Sequence, residues 1–405
     1  MIEFEIMVSA GEVSGDKNAA AVVKQLKELC INITVWGVGG DYLAEAGVEL
    51  LFNTVDRSTV GILEPLAGLG YYIKILKVLK KNIKERKPAL ILLVDFTAFN
   101  MRLARFAHEL SIPVVSWFSP SAWVWGSRRA KKMADWGAVI ASVFEMEHDV
   151  YKKAGAEVHF VGHPLPGEIK PGMGNIADPM AIKDVVSASM DKINTGCTLD
   201  INGKMIGEKT IVGILPGSRR QEVRMLLHEF LKAAEIIHSR HPECIFLLPA
   251  ATRKLRSIIE DILSGAGSSL PLTILDGQSP EVMKNSKLIL TASGTATLEA
   301  ACAGTPFIAA YRVNIINSLF IKLFVRVKYM ALPNIILGKQ AFPEFYQGKA
   351  NGYAIANAAL KILEDESYES DIRDNLLKVR MSLGMGDSAK KTAELVRDIL
   401  GRVNE

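Results

Sequence analysis

Residues 89–96 read ALILLVDF. The run is apolar without a break from Ala89 to Val94 and then ends on a carboxylate, Asp95. A strand with one wet face alternates apolar and polar residues; an unbroken run fits a strand buried on both faces, as in a parallel sheet covered by helices. Working outward, Pro113 to Trp117 and Ala138 to Ser142 repeat the theme downstream. Upstream, Ile6-Met7-Val8 leads into a Gly-rich turn and a helical stretch from Ala19 to Leu29, and Ile33 to Val38 ends in Gly39-Gly40. Strands alternating with helical segments predict a doubly wound α/β lobe.

The second half repeats this organisation. Thr210 to Leu215, Cys244 to Leu248, Leu272 to Leu275 and Leu288 to Thr291 read as strands, with a helix following Arg219. Between the halves, GHPLPG at 162–167 punctuates strongly, and the stretch to about Lys209 has little periodicity. The expected architecture is two Rossmann-like parallel-sheet lobes: 1–165 and 210–347, an irregular linker or insertion over 166–209, and helices over 348–405 packing back on the first lobe. Two such lobes are expected to take their ligand between them, at the carboxyl ends of the strands.

Composition narrows the function. A chain of 405 residues fits two domains, and 49% hydrophobic with 23% charged residues is ordinary for a globular protein. A balance of 48 basic against 44 acidic residues gives +4, too mild for bulk nucleic-acid binding. The 4 cysteines form no CxxC pair, which gives no support to a zinc ribbon or thioredoxin-type site and suits a reducing compartment. The start, MIEFEIMVSAGEVSGD, lacks the basic and apolar regions of a signal peptide. The longest weakly charged stretch, Leu288 to Tyr311, breaks at Ser293-Gly294-Thr295, so no membrane-spanning helix is expected.

Several turns after strands carry chemistry. Gly11, Glu12, Ser14, Gly15 and Asp16 open a helix whose N-terminus suits an anion or a sugar oxygen; a tight turn capped by Asp16 explains them equally. Asp95 can accept a proton from a hydroxyl, or simply cap the following helix. Ser119, Ser121 and Trp123, ahead of Arg128, Arg129, Lys131 and Lys132, suit a sugar phosphate or a packed loop with a solvated helix face. Ser218 and Arg219 in one turn, and Ser293, Gly294, Thr295 and Thr297 in another, are ready for anions, with Glu299 placed to accept from ribose hydroxyls. Two such turns in one lobe favour a nucleoside diphosphate. Gly68 to Lys87 sets Leu69, Tyr72, Ile73, Leu76, Leu79 and Ile83 at helical spacing among Lys74, Lys77, Lys80, Lys81 and Lys84, a basic amphipathic helix suited to an anionic lipid surface or, more plainly, a core helix with a charged outer face. Ile315 to Lys328 is a second such stretch. His163 before Pro164 reads as a hinge, and no HExxH occurs.

Taken in order, AGEVSGD at 10–16, VDFTAFN at 94–100, SPSAWVW at 119–125, FVGHPL at 160–165, LPGSRRQEV at 215–223, SGTATLEA at 293–300, LPNII at 332–336 and PEFYQ at 343–347 resemble the lipid-A-disaccharide synthase family. The resemblance implies a glycosyltransferase B fold and an inverting hexosyl transfer. The donor is UDP-2,3-diacylglucosamine and the acceptor 2,3-diacylglucosamine 1-phosphate; the product is a β-1,6 disaccharide and UDP leaves. It implies no metal and no cofactor, no nucleic-acid partner, peripheral residence on the cytoplasmic face of the inner membrane, and allows a homodimer. Carried over residue by residue, it makes Asp95 the general base, sets Arg219 against departing UDP and Glu299 on the nucleotide, adds Asn334 and Gln347 to the donor pocket, and gives the region from Val60 to Lys87, with Leu69, Tyr72, Ile73, Leu76, Lys77 and Lys80, to membrane and acyl chains. The chain departs from the family pattern at Thr97 and Ala98, where the family has Pro and a second Asp, at Pro166-Gly167, and over the long 167–209 segment. A two-lobed UDP-sugar transferase or epimerase with another acceptor, and a non-catalytic binder of glycolipid or UDP-sugar, remain the competing readings.

Overall fold

A computed structural model describes residues 4–29, 32–55, 65–122, 127–171, 209–266, 270–313 and 328–403. The chain divides into two compact units, Met1–Gly167 with Ser382–Glu405, and Glu168–Met381.

The first lobe runs β1 (Phe4–Ser9), α1 (Val13–Glu28), β2 (Ile33–Gly39), α2 (Asp41–Glu45), β3 (Glu49–Asn53), α3 (Pro65–Arg86), β4 (Leu90–Val94), α4 (Thr97–Glu109), β5 (Val114–Trp117), α5 (Arg128–Asp135), β6 (Val139–Ser142), α6 (Glu145–Lys153), β7 (Val158–Phe160) and α7 (Leu165–Glu168). The second runs β8 (Thr210–Leu215), α8 (Arg220–Arg240), β9 (Cys244–Ala250), α9 (Arg253–Ala266), β10 (Leu272–Asp276), α10 (Ser279–Asn285), β11 (Leu288–Ala292), α11 (Thr295–Ala303), β12 (Phe307–Tyr311), α12 (Leu332–Leu337), β13 (Glu344–Tyr346), a short turn of 3-10 helix, α13 (Gly352–Glu364) and α14 (Glu366–Ser382). The last helix, α15 (Ser388–Val403), returns to the first lobe.

The first sheet has 7 strands in the order β3-β2-β1-β4-β5-β6-β7 and the second has 6 in the order β10-β9-β8-β11-β12-β13. Every pairing among the described strands is parallel. Each sheet therefore reverses its winding once, between β1 and β4 in the first and between β8 and β11 in the second. The apolar run at β4 has the expected cause. Leu90, Leu92 and Val94 pack on one face with α1 and α15, while Ile91 and Leu93 pack on the other with α3, α4 and α5. All five are fully buried.

Two expectations take a different form. The helices after residue 348 do not travel together: α13 packs on α8 in the second lobe, and only α15 packs on α1 in the first. Spacing explains the split, because α15 buries Ala393, Val396 and Leu400 in the same cluster as Ala19, Val23 and Leu26 of α1. On α3, the buried stripe is Ile75, Leu79 and Ile83, with Tyr72 and Leu76 partly buried and Ile73 exposed. Leu79 and Ile83 thus serve the core, and the helix presents its lysines rather than an apolar stripe to solvent. Residues 172–208, most of the expected linker, and 314–327, most of the second amphipathic stretch, lie outside the described residues.

The glycines of GHPLPG have a shared reason. The His163 N–H donates to the Leu383 carbonyl at 2.7 Å, and the segment 162–167 runs backbone against backbone past 383–386. Gly162 has φ +80 and Gly386 φ +81, and a Cβ on Gly162 would stand 2.7 Å from the Leu383 oxygen. A side chain at Gly162 or Gly386 is excluded by both conformation and space, and one at Gly167 by space, its Cβ standing 2.6 Å from the Gly386 oxygen.

Candidate active site

Both lobes place their notable turns at the point where the winding reverses, the position at which doubly wound sheets bind ligands. In the first lobe Ser9 pairs in register with Leu93, so the turn after β1 and the turn after β4 leave the sheet side by side. A Cβ on Gly15 would stand 3.3 Å from the Asp95 Cβ, and one on Gly11 would overlap the Phe96 ring. The small residues of AGEVSGD are therefore what lets α1 begin against Asp95-Phe96. Gly11 and Gly15 are buried there, while Glu12 and Ser14 are exposed.

Asp95 and Phe96 both lie in the left-handed region, with φ of 52 and 50. That conformation costs about 1–2 kcal/mol per residue outside glycine, and it persists only where the surroundings enforce it. Here the Asp95 N–H donates to the Trp117 carbonyl at 3.0 Å, and the Asn100 Nδ2 donates to the Asp95 carbonyl at 2.7 Å. Phe96 stacks on Phe99 at 4.7 Å between ring centroids and meets the edge of Tyr72 at 5.5 Å. Burial raises the Asp95 carboxyl to about 6; the charge of Glu12 adds to this and the Phe96 N–H opposes it. A carboxylate at that value is still ionised at neutral pH, yet is a better proton acceptor than an exposed one.

Other first-lobe residues are placed differently from the sequence expectation. Asp16 is buried, and its carboxylate accepts the backbone N–H groups of Gly40 at 2.7 Å, Tyr42 at 3.0 Å and Leu43 at 3.3 Å. It holds the start of α2 rather than a ligand or its own helix. Ser119 is buried with its Oγ 2.9 Å from the Ser116 Oγ. Ser121 is half-buried, and Trp123 lies outside the described residues. Tyr72 meets Phe96 edge-on and Lys80 lies over the Phe106 ring at 4.5 Å, both half-buried; Lys77 is exposed, and the side chain of Leu69 lies outside the described residues. His163 sits between the rings of Phe118 and Phe144 with its Nδ1 accepting from the Leu165 N–H, and burial lowers it to about 4.

In the second lobe Leu215 pairs with Thr291, which sets the turn at 216–219 beside the turn at 293–294. Arg219 caps α8: its N–H donates to the Glu222 Oε2 at 3.3 Å, and its Nη1 meets the Glu222 Oε1 at 3.3 Å. Gly217, at φ +113, leaves the room that Glu222 folds into. The guanidinium side of this pair is 67% exposed. An exposed pair contributes at most about 1 kcal/mol, so Arg219 can exchange it for a phosphate. Ser218, Gly294 and Thr295 are exposed, and Thr297 is buried with its Oγ1 donating to the Gly294 carbonyl at 2.7 Å. Ser293 donates to the Met330 carbonyl at 3.1 Å. The N-terminus of α11 faces the same edge with its first-turn amides. Glu299 is raised by burial, with Glu168 adding to it.

Two resemblance-based positions are structural. Asn334 is fully buried; its Nδ2 donates to the Phe342 carbonyl and Glu344, and its Oδ1 accepts from the N–H groups of Ala341 and Phe342. Gln347 clamps Val313 from both ends of its carboxamide, at 2.9 and 3.2 Å. Both shape loops rather than offer polar groups to a donor. Sequence reading also passed over Ser9, Asn100, Glu222 and Tyr311, the last raised by burial and lying near Glu222 and Arg219. The signal for Asn100 was an amide between Phe99 and Met101 at the end of a quoted motif. Among the described residues, no group of three or more His, Cys, Asp or Glu is arranged to hold a metal ion, and no helix is long and apolar enough to cross a membrane.

Proteins of known structure share this architecture. A UDP-GlcNAc 2-epimerase from Neisseria meningitidis, solved with UDP-GlcNAc, aligns at TM-score 0.60 and 14% identity over 98% of this chain and all (100%) of its own. The glycotransferase of kitacinnamycin aligns at TM-score 0.60 and 13% identity over 99% of this chain and 100% of its own. These likenesses show the fold. Sequence reaches further. The chain is 33% identical over 397 residues to a lipid-A-disaccharide synthase of Geobacter sulfurreducens, covering 98% of this chain and 97% of that one. It is 33% identical over 390 residues to one from Nitrosococcus oceani, covering 96% and 95%. The profile described as lipid-A-disaccharide synthetase matches residues 6–399, from the first strand through nearly all of α15. With a half-buried acid at one switch point and an anion-ready pair of turns at the other, the chain belongs to the lipid-A-disaccharide synthetase family.

Proposed function

We propose that the chain transfers 2,3-diacylglucosamine from UDP to the 6-hydroxyl of 2,3-diacylglucosamine 1-phosphate, forming the β-1,6 disaccharide of lipid A. The family membership carries the reaction class: a hexosyltransferase with a UDP-sugar donor and a glycolipid acceptor. The observation that carries the chemistry is Asp95, half-buried, raised to about 6 and so ionised at neutral pH, and held at the carboxyl end of β4. It accepts the acceptor hydroxyl proton as that oxygen bonds to the anomeric carbon and the bond to the UDP oxygen breaks. One in-line displacement inverts the anomeric centre. Negative charge gathers on the leaving diphosphate, where Arg219, the hydroxyls of Ser218 and Thr295 and the first-turn amides of α11 offset it without a metal. Glu299 accepts from the ribose hydroxyls.

The membrane reading rests on one face of the first lobe. Helices α3, α4 and α5 all cover the same side of the sheet. Their outer surfaces expose Lys74, Lys77, Lys84, Arg102, Arg128 and Lys132. Basic residues near an anionic bilayer contribute about 1 kcal/mol each, so this face seats the enzyme on the inner leaflet of the inner membrane.

The test incubates the purified chain with both lipid substrates in detergent and EDTA and follows the disaccharide 1-phosphate by mass spectrometry. Product formation supports the reaction and its independence of metal. UDP binding without product would leave the acceptor wrongly assigned.

A further inference from the structure

The turn that presents Asp95 is tied to the neighbouring strand by one buried side-chain pair. Ser9 ends β1 and is fully buried, and Asn100 lies in the first turns of α4 at 4% exposure. The Ser9 Oγ donates to the Asn100 Oδ1 at 2.7 Å. The Asn100 Nδ2 donates to the Asp95 carbonyl at 2.7 Å, with the carbonyls of Val94 and Ser9 both at 3.4 Å. One carboxamide therefore touches the last residue of β1, the last residue of β4 and the residue that follows it. A buried amide with both ends engaged has no freedom to rotate without orphaning a polar group. The Asn100 backbone N–H also closes the turn, donating to the Phe96 carbonyl at 3.0 Å.

We propose that Ser9 and Asn100 act together as positioning residues for Asp95, fixing its left-handed backbone and so the direction of its carboxylate. The inference rests on the reading of Asp95 as the base. Both residues are buried, Ser9 completely and Asn100 nearly so, beneath the turn that carries Asp95. Asn100 sets the Asp95 carbonyl, and Ser9 sets which way the Asn100 amide faces. An alanine at 100 leaves the Asp95 carbonyl without its donor and opens a space beside it. The carboxylate then samples directions that miss the acceptor hydroxyl, and a displacement of about 1 Å costs on the order of 100-fold in rate.

The experiment compares Asp95→Asn, Asn100→Ala, Ser9→Ala and the Ser9→Ala/Asn100→Ala double variant, each corrected for folded fraction. kcat, its pH profile and the Kd for UDP are measured. Asn100→Ala is expected to lower kcat about 100-fold and Ser9→Ala about tenfold, the value of one hydrogen bond. The double variant should fall no further than Asn100→Ala, because both act through one bond. UDP affinity should stay unchanged. The acidic limb of the rate should move down toward the ordinary carboxylate range as water reaches Asp95, where Glu12 on α1 is the neighbouring charge. If Asp95→Asn keeps the parent rate, the base assignment itself fails. If Asp95→Asn abolishes turnover while the other variants keep kcat and the acidic limb and lose only thermal stability, the positioning role alone is overturned. Should Asn100→Ala not fold, Ser9→Ala decides by the same readouts.

Discussion

The two lobes solve one geometric problem with opposite chemistry. Each opens a gap between two adjacent parallel strands, β1 and β4 in the first lobe, β8 and β11 in the second. At the first gap stand a half-buried carboxylate, a second acid at Glu12 and two non-glycine residues in left-handed backbone. At the second stand Arg219, hydroxyls and a helix N-terminus, and the left-handed position is given to Gly217. The first site is strained, apolar and acidic; the second is relaxed, exposed and ready for an anion. The contrast fits a division of work in which one lobe takes a proton and the other takes a diphosphate. At these two gaps the left-handed backbone falls on the proposed base in one lobe and on a glycine in the other.

The largest test of this contrast is Asp95→Ala. Turnover should fall about 1,000-fold, within the usual range for a lost general base, while calorimetry finds UDP binding unchanged. Loss of UDP affinity in that variant would break the comparison, because it would put the first lobe in the donor's business. Arg219→Ala is the reciprocal case. It should weaken UDP binding about 10–100-fold, the value of a charge-assisted hydrogen bond, and slow turnover as well. Gly11→Ala drives a methyl into the Phe96 ring and should cost about 1–3 kcal/mol in chemical denaturation, with turnover falling and UDP affinity intact.

The smallest effect separates two raised carboxylates on the same sheet edge. Asp95 must be ionised to act, so the rate should fall as the pH drops through about 6. Glu147 is fully buried, accepts the Val143 N–H at 2.9 Å and is raised to about 8 by burial. Its folded value lies above its unfolded one. Its contribution to stability is therefore complete below the ordinary carboxylate range and lost as the pH rises through about 8. Glu147→Gln should flatten the decline in melting temperature over that window and leave the rate profile alone. A shift of the acidic limb in that variant would show that the two acids are coupled.

Part of this is legible in the sequence: the unbroken β4 run is that of a strand buried on both faces. The glycines at 11 and 15 read as a turn for an anion or a sugar oxygen, and the structure uses their missing side chains to seat Asp95-Phe96. What was not legible depends on partners far away in sequence. Asp16 sits in a sugar-friendly motif yet spends its carboxylate on amides of residues 40–43. Asn334 and Gln347 carry the polarity of a donor pocket and turn it inward, onto loops at 341–342 and 313. A polar side chain looks the same in a sequence whether it meets a ligand or a backbone. On α3, helical spacing admits more than one apolar face, and only the sheet beneath selects Ile75, Leu79 and Ile83.

The crossing of 162–167 over 383–386, and the docking of α15 on α1, make the first lobe discontinuous along the chain. During synthesis the ribosome finishes all six helical connections of the seven-strand sheet long before it makes the piece that covers α1. At about 5–20 residues per second, the apolar positions Ala19, Val23 and Leu26 wait on the order of 20–75 s for Val396 and Leu400. The second lobe is made within that interval, its last helix ending at Ser382 just before α15 begins at Ser388. A nascent chain of this protein thus emerges with its acid-bearing half unfinished, and any ribosome-bound chaperone that shields apolar helices meets α1 first.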